Sequence, residues 1–548
     1  APQSVQENMT YHLHPLLDIY LRSDFDYNIG PVGDIMKVRI FMAVALLIIV
    51  IASINYVNLA TAQAVGRSKE VGMRKALGAG KKQVIAQFIT ESVLIASAAL
   101  VVAVVLVVFL LPAFNQLTGK TLGAQQLLDL RFVLAGVLLV LVVGVVSGSY
   151  PAFYLSAVDP MRALKGAAAQ TSRGALVLRK SLVVFQFAIS VLLICSSLII
   201  YNQWTYLKGK NLGLQTEQVV TLPVQSKKFV GNYHAFKTNL QGKAAVQWVS
   251  ASNKSLTQRF FDFATTTRSA TSNDTVLAFG AVDFDYFEAL DIKLVEGRTF
   301  SKNIATDATQ AIVINESARK FFGLDKALGQ TLRIGSEKEA KTIVGVVRDF
   351  HFEDLYTEIV PMVFFVTDSY FNQVVIRLKG DDFPQAIQAI QSEWDKYGFT
   401  EPFSYSFLDE SMAQVYQKEQ QFLQIFAAFT ALAILIACLG ALGLISFMVI
   451  QRTREMGIRK VLGATTVDMV ALLSRDFLLL VFIAFLIASP VAWYGMSAWL
   501  ENYVYRTQIQ WWAFGITGVV VLLVALLTIS YQAVKAALVN PLKSLRSE

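Results

Sequence analysis

Side chains that could perform acid–base chemistry or bind a metal ion are sparse in this chain of 548 residues, which has four histidines and two cysteines. His12 and His14 lie two positions apart, which puts both on one face of a strand, but a histidine pair alone is more typical of a structural role than of a metal site. Asp349 and His351 could form an acid–base pair, yet apolar residues alternate with them as at the end of a packed strand. We therefore predict no catalytic residue and no metal site.

Glycine–lysine pairs are the next candidates, because a phosphate-binding loop of the Walker A type requires Gly-x4-Gly-Lys-Ser/Thr. Residues 119–121 (GKT) match the end of this pattern, but Phe114 occupies the place of the first glycine. Around residues 80–81 (GK), lysines occupy the places of both the first glycine and the hydroxyl residue. The sequence thus predicts that neither a nucleotide nor another cofactor binds to this chain.

A basic element of 13 residues occurs twice in the chain. Residues 67–79 (RSKEVGMRKALGA) and 452–464 (RTREMGIRKVLGA) are separated by 452 − 67 = 385 positions. Ser68 or Thr453 can cap the start of a helix, and the glycine near the end of each copy is typical of a left-handed helix stop. Each copy therefore predicts a short helix in which an apolar strip and an arginine–lysine pair point in different directions.

Two interpretations of this element remain open. A basic amphipathic helix can lie on lipid headgroups as an anchor, but anchoring does not require two near-identical copies with their glycines in register. Two equivalent cytoplasmic helices favour a docking surface for a two-fold symmetric partner. The predicted docking residues are Glu70, Val71, Gly72, Met73, Arg74, Lys75, Leu77 and Gly78 in the first copy, and Glu455, Met456, Gly457, Ile458, Arg459, Lys460, Leu462 and Gly463 in the second.

The segments that must position these copies are strongly apolar. Hydrophobic residues make up 54% of the chain and charged residues 16%, which disfavours a soluble enzyme and a disordered chain. Seven uncharged runs are each long enough to cross the ~30 Å hydrocarbon core of a bilayer: 40–64, 92–118, 132–158, 181–207, 422–450, 477–500 and 511–534. The sequence therefore predicts a polytopic α-helical membrane protein.

The loops between the runs divide by charge. The basic set contains 19 Lys or Arg against seven acids and comprises 65–91, 159–180, 451–476 and 535–548. By the positive-inside rule these segments face the cytoplasm. The net charge of +8 is thus a topology signal, and we expect contacts with the lipid bilayer and none with nucleic acid.

The repeat also orders the domains. Each repeat consists of an outside domain, a span, a basic loop, a span, a short outside loop and a span. The second repeat has a complete outside domain, which follows the span 181–207, whereas the first repeat retains only the last strand of that domain in residues 1–39. We therefore expect an N-terminally truncated fragment of a protein with eight spans.

The polar segment 208–421 predicts an α+β extracytoplasmic domain. Strand patterns lie at 218–224, 246–252, 342–348, 362–367, 373–379 and 402–408, and helical patterns at 231–242, 312–322 and 384–397. The outermost elements form two strand–helix–strand units, as in a ferredoxin-like core, and residues 255–370 would be an inserted subdomain with its own small sheet. From Asp409 a continuous helix is expected to enter the span 422–450.

With the element Glu-Val/Met-Gly-Met/Ile-Arg-Lys-Ala/Val-Leu-Gly-Ala between the first two spans of each three-span block, the chain resembles the MacB/FtsX-type ABC permeases in their fused two-unit form. The resemblance implies that each copy docks on a homodimeric cytoplasmic ABC ATPase, which would bind the ATP and Mg, and that the protein lies in a bacterial cytoplasmic (inner) membrane. It divides the chain into 1–39, the remnant of the first extracytoplasmic domain; 40–158, the first three-span FtsX-like block; 159–180, a cytoplasmic linker; 181–207, a transmembrane span; 208–421, a MacB-like extracytoplasmic domain; and 422–548, the second three-span block.

The resemblance implies a permease subunit that is not itself an enzyme. It would convert closure of the ATPase dimer into movement of extracytoplasmic domains that act on a peptide, a lipoprotein, a lipid or a partner protein. The alternative is an FtsX-like regulator that transmits an ATPase signal to an extracytoplasmic cell-wall hydrolase. An ion-coupled carrier is disfavoured because the seven runs contain no ionisable residue of the kind that such carriers place at mid-membrane.

Overall fold

The structure, a computed structural model, describes residues 15–22, 33–157, 173–224, 226–254, 256, 263–267, 275–334, 339–351, 358–367, 371–399, 401–462 and 465–537. His12, His14, Gly463 and residues 159–172 of the predicted linker lie outside the described residues. The chain forms two compact units. The first comprises Ala1–Val32, Trp204–Glu419 and Glu501–Arg506, and the second comprises Gly33–Gln203, Gln420–Leu500 and Thr507–Glu548.

Helices occur in both units. In chain order they are α1 (Leu16–Arg22), α2 (Ile35–Gly66), α3 (Ser68–Ala76), α4 (Lys81–Thr118), α5 (Leu130–Ser156), α6 (Arg173–Lys208), α7 (Lys227–Gln241), α8 (Tyr286–Ala289), α9 (Asp307–Gln310), α10 (Glu316–Phe321), α11 (Phe383–Tyr397), α12 (Leu408–Val461), α13 (Thr466–Leu500) and α14 (Trp511–Ala537). Within the described residues, seven helices are long and apolar enough to cross a membrane, namely α2, α4, α5, α6, α12, α13 and α14. The seven predicted spans are confirmed.

The spans of the second unit pack through aromatic rings and glycines. Phe187 of α6 meets Phe477 of α13 edge-on, with 5.5 Å between the ring centroids. In the hairpin of α4 and α5, glycines allow the two backbones to approach closely, because a Cβ on Gly144 would lie 2.9 Å from the Cα of Val93. Such small residues compensate for the weak hydrophobic drive between helices in lipid.

Helix α12 is 54 residues long and begins at Leu408, one position before the predicted start. The expected continuity from the outside domain into the span is confirmed, since residues 408–419 belong to the first unit and residues 420–461 to the second. The prediction of a separate short helix in the second basic copy is wrong, because residues 452–461 continue α12. A single glycine, Gly457, is not enough to end a helix that propagates from both sides.

A sheet of 11 strands organises the first unit. The strands are β1 (Val219–Pro223), β2 (Val246–Ser252), β3 (Phe263–Thr267), β4 (Thr275–Val282), β5 (Leu294–Gly297), β6 (Ala311–Asn315), β7 (Thr331–Ile334), β8 (Lys341–Val347), β9 (Met362–Val366), β10 (Gln373–Leu378) and β11 (Ser406–Phe407). The order β11-β1-β10-β2, with α7 joining β1 to β2 and α11 joining β10 to β11, confirms the ferredoxin-like core. The predicted strand 402–408 shrinks to two residues because α12 begins directly after it.

The inserted segment differs from expectation in two respects. The order β4-β3-β7-β8-β6-β9 closes on itself through the parallel pair β4–β9, so the insertion forms a ring of strands. This ring is joined to the core where Ser252 pairs with Val282, and it is not a separate small sheet. The predicted helix 312–322 is wrong in its first half, because the buried apolar run of β6 pairs with β8 and β9 and only α10 is helical. Such short apolar runs are ambiguous between strand and helix.

A buried ion cluster joins the core to the insertion. The Nζ of Lys237 on α7 pairs with the carboxylates of Asp283 and Asp285, which follow β4. The Tyr233 hydroxyl donates a 2.5 Å hydrogen bond to Asp283 Oδ2, and burial raises the pKa of Tyr233. Lys302 lies 2.9 Å from Asp285 at the surface. The charges of this cluster are therefore paired within the first unit.

Candidate docking site

The first basic copy folds as the separate helix α3, between α2 and α4. Helix α2 ends at Gly66 and α3 begins at Ser68, with Arg67 at the N-cap and no side-chain cap bond, so the prediction that Ser68 caps the helix is wrong. At its C-terminal end Gly78 has φ +102°, a conformation that favours glycine, and the left-handed stop is confirmed. The Gly78 and Ala79 amides donate to the carbonyls of Lys75 and Arg74, each at 3.0 Å.

A charged brace fixes α3 against α4. The guanidinium of Arg67 binds both carboxylate oxygens of Glu91, at 2.8 and 3.1 Å, and also contacts Glu70 at 3.4 Å. These bonds, above all those that Arg67 donates to Glu91, raise the pKa of Arg67. Arg74 adds a 2.7 Å ion pair to Glu70 and a 2.6 Å hydrogen bond to Gln87. A bidentate arginine–carboxylate pair sets direction as well as attraction, so the brace positions the helix.

The apolar strip predicted for this copy is split between two faces. Val71 is buried in a cluster with Val84, Phe88, Ala152 and Leu155, and Gly72 is buried next to it. These residues attach α3 to the neighbouring spans. Val71 and Gly72 therefore do not lie on a surface that an incoming protein could contact.

Among the described side chains of this copy, the large apolar ones that are exposed are Met73 on α3 and Leu77 at its C-cap, which is 86% exposed. Lys75, predicted as a docking residue, instead donates a 2.7 Å hydrogen bond to the carbonyl of Ser156 at the end of α5. Arg74 is half exposed but is held by Glu70 and Gln87 as described above. The accessible part of the site is thus an apolar knob, rimmed by charges that the chain itself pairs.

The second copy has different backbone surroundings. Residues 455–460, which include Glu455, Met456, Gly457, Ile458, Arg459 and Lys460, lie in the last turns of α12. Leu462, the equivalent of Leu77 (77 + 385 = 462), is 79% exposed just after the helix. One large apolar side chain therefore lies exposed at the same position of both copies.

The support residues of the first copy were not identified from the sequence. Gln87 and Glu91 are spaced by one helical turn on α4, just before the uncharged run 92–118, and this (i, i+4) spacing was the available signal. At the equivalent positions the second copy has Leu472 and Asp476. Leucine has no side-chain acceptor, so Leu472 could not accept from an arginine as Gln87 does.

The acid–base candidates have structural surroundings. Asp349 accepts hydrogen bonds from the amide and hydroxyl of Ser317, at 2.9 and 2.7 Å, in the first turn of α10. His351 is buried edge-on to the ring of Tyr505, 5.0 Å between centroids. Burial, helped by the charge of Lys210, lowers the pKa of His351 to about 4. Among the described residues no three His, Cys, Asp or Glu side chains are grouped so as to hold a metal ion.

Two family descriptions match the chain. The FtsX-like permease C-terminal family matches residues 42–160 and 427–541, and the MacB-like periplasmic core domain matches residues 210–393. The two FtsX-like matches begin 427 − 42 = 385 positions apart, the same offset as the repeated basic element. The other domain boundaries expected from the sequence stay a prediction.

Curated relatives match about half of the chain. The chain is 25% identical over 303 residues to the macrolide export ATP-binding/permease protein MacB of Chromobacterium violaceum, covering 51% of this chain and 44% of the relative. It is 23% identical over 285 residues to the uncharacterised ABC transporter permease YknZ of Bacillus subtilis, covering 50% of this chain and 71% of the relative. The crystal structure of the periplasmic region of MacB from Actinobacillus actinomycetemcomitans aligns with a TM-score of 0.28 and 15% identity, over 37% of this chain and 94% of that one. The chain thus spans less than half of the first of these relatives.

Proposed function

Because the chain belongs to the MacB/FtsX-type ABC permeases, as a multi-pass inner-membrane protein with an extracytoplasmic domain, we propose that it works as the permease subunit of an ATP-driven complex. An ABC ATPase docks on the two basic copies from the cytoplasm and supplies the energy. The permease transmits the closure of the ATPase dimer to the extracytoplasmic domain and contributes no catalytic residue.

The docking proposal is supported by the exposed knob. Single exposed leucines are common on protein surfaces, but Leu77 and Leu462 are exposed at equivalent positions of two near-identical elements, and this repetition supports a common partner. Burial of Val71 and the brace on Arg67 keep α3 in place without using the knob. One exposed leucine in each copy suits a partner that presents the same pocket twice, as a two-fold symmetric ATPase dimer does.

Transmission is supported by α12. The helix carries Leu408 and Met412 in the core of the first unit and continues without a break to Val461, at the second basic copy. A helix of this kind resists compression and bending, because each turn is held by backbone hydrogen bonds. Movement of the docking end therefore reaches the extracytoplasmic domain through one covalent element. The extracytoplasmic domain then acts on a peptide, a lipoprotein, a lipid or a partner protein.

The test replaces the knob by a charge. The tagged full chain is purified from native membranes with its bound ATP-binding subunit, which is identified by mass spectrometry and then titrated against each variant. Leu77→Glu should weaken binding, and Leu77→Glu with Leu462→Glu should abolish it. Leu128→Glu is the matched control, since Leu128 is 80% exposed in the short 3-10 turn Ala124–Leu128, between α4 and α5.

The outcomes separate docking from lipid anchoring. Loss of the ATP-binding subunit in the double variant, with Leu128→Glu unchanged, supports docking at the knob. Undiminished binding of the double variant would refute docking and leave α3 as a headgroup anchor. In that case the double variant should associate less with anionic vesicles than the wild type does.

A further inference from the structure

The internal repeat extends into the helices that precede the two basic copies. With the same offset of 385, Ile51 of α2 corresponds to Ile436 of α12, and Asn55 corresponds to Gly440. Helices α2 and α12 lie side by side in the second unit, and Asn55 meets its own equivalent, Gly440. The two blocks therefore contact each other across a local pseudo-two-fold axis that passes between Asn55 and Gly440.

At this axis the two helices are complementary and not alike. Asn55 Nδ2 donates a 2.5 Å hydrogen bond to the carbonyl of Ile436. A Cβ built on Gly440 would overlap the side-chain oxygen of Asn55, and a Cβ built on Gly443 would overlap Leu59. Helix α2 thus supplies the side chains at the crossing, and α12 supplies the glycines that accommodate them.

We propose that Asn55 and Gly440 are a specificity pair. They make α2 pair with α12 of the same chain and not with α2 of a second protein molecule. At the observed helix separation there is room for one side chain at the crossing, so two α2 helices would place two asparagines in the same space. Two α12 helices would leave the gap empty and the Ile436 carbonyl without this donor. One chain therefore forms both halves of the permease core by itself. This inference does not depend on ATPase docking.

The experiment measures which helices pair in the intact chain. Phe41 and Phe422 have ring centroids 5.2 Å apart, so cysteines at both positions should be bridged by a short bifunctional thiol reagent, and this cross-link reports pairing of α2 with α12. The native Cys195 and Cys438 are replaced by alanine in this background. A cross-link within one chain keeps the monomer mass and shifts gel mobility, whereas a cross-link between two copies doubles the mass.

The steric argument fixes the expected results. Gly440→Asn should lower the yield of the intrachain cross-link by roughly tenfold, the effect expected from overpacking a close contact. The exchange Asn55→Gly with Gly440→Asn should restore most of it, because the introduced amide faces the carbonyl of Ile51, the equivalent of Ile436. Gly495→Asn is the control for the loss of a helical glycine, since a Cβ there meets nothing within 4 Å, and should leave the yield unchanged.

Two outcomes would overturn the proposal: a wild-type cross-link that runs mainly at twice the monomer mass, or an exchange variant as defective as Gly440→Asn. Because Gly440→Asn could fold poorly, Asn55→Gly is measured alone as well. It removes the side chain without crowding the crossing, and it should raise the share of doubled-mass product several-fold relative to the wild type. An unchanged share would also contradict the proposal.

Discussion

Replacing Lys237 by methionine should destabilise the extracytoplasmic unit far more than replacing its neighbour Lys302. The Lys237 side chain is 4% exposed and that of its partner Asp283 is 3% exposed, so the change leaves a carboxylate buried with no cation. Breaking a buried pair in this way costs about 3–5 kcal/mol. Lys302 is 50% exposed and pairs with Asp285 at the surface, where a pair contributes at most about 1 kcal/mol.

These free energies convert into a measurable difference in melting temperature. For a domain of this size, 1 kcal/mol corresponds to about 2–4 °C, so Lys237→Met should lower the transition by roughly 6–20 °C and Lys302→Met by at most a few degrees. The transition is followed by near-UV circular dichroism of the full chain in detergent, with hydrogen exchange at the amides of 283–302 as a local readout.

A double variant decides whether the unpaired charge is the cause. Lys237→Met with Asp283→Asn removes both charges, and it should recover most of the loss because no ion stays buried without a partner. Two results would contradict this account of the buried ion cluster. One is that Lys237→Met and Lys302→Met have the same melting temperature, and the other is that the double variant is no more stable than Lys237→Met.

Three further changes test other parts of the structure. Val71→Ala should lower thermal stability by about 2 kcal/mol, since it empties part of a buried cluster, while leaving ATPase binding nearly unchanged; weakened binding at unchanged stability would mean that this face docks. On the proposed transmission through α12, Gln414→Pro at an exposed position of this helix should leave ATP hydrolysis by the complex intact but stop it from moving the extracytoplasmic domain, because proline breaks the helix. Gln414→Ala should behave as wild type. Burial holds the folded-state pKa of His351 near 4, below its unfolded value of about 6.5. The contribution of His351 to the free energy of unfolding is therefore fully present above pH 6.5, and the free energy falls by about 2 kcal/mol at pH 5. His351→Gln should abolish this part of the pH dependence of the melting temperature.

Features set by composition or by strong local periodicity were predictable from the sequence. Uncharged runs located all seven spans, because no soluble packing suits such lengths. Continuity of α12 followed from the absence of glycine and proline between 409 and 439, and the stop at Gly78 from the conformation that glycine alone adopts without strain. The alternation of strands and helices also identified the ferredoxin-like core.

What escaped prediction depends on contacts distant in sequence. The run Ala311–Asn315 is a strand because β8 and β9 lie on either side of it, and nothing within the run itself decides between strand and helix. Val71 in α3 and Leu77 at its C-cap are both apolar, yet only the position of α4 and α5 determines which of them is buried. Gln87 and Glu91 became recognisable as supports only once α3 was placed beside them.

Because α12 is continuous, the number of residues in it fixes the direction in which each later side chain points. Each residue of an α-helix advances the chain by about 1.5 Å and turns it by about 100°. One residue inserted between 412 and 421 would swing every later side chain to another side of the rod, whereas seven residues would return them to within about 20°. An insertion of about seven or about eleven residues in this segment should therefore be better tolerated than a single insertion, which should disable the protein even where each half folds unchanged.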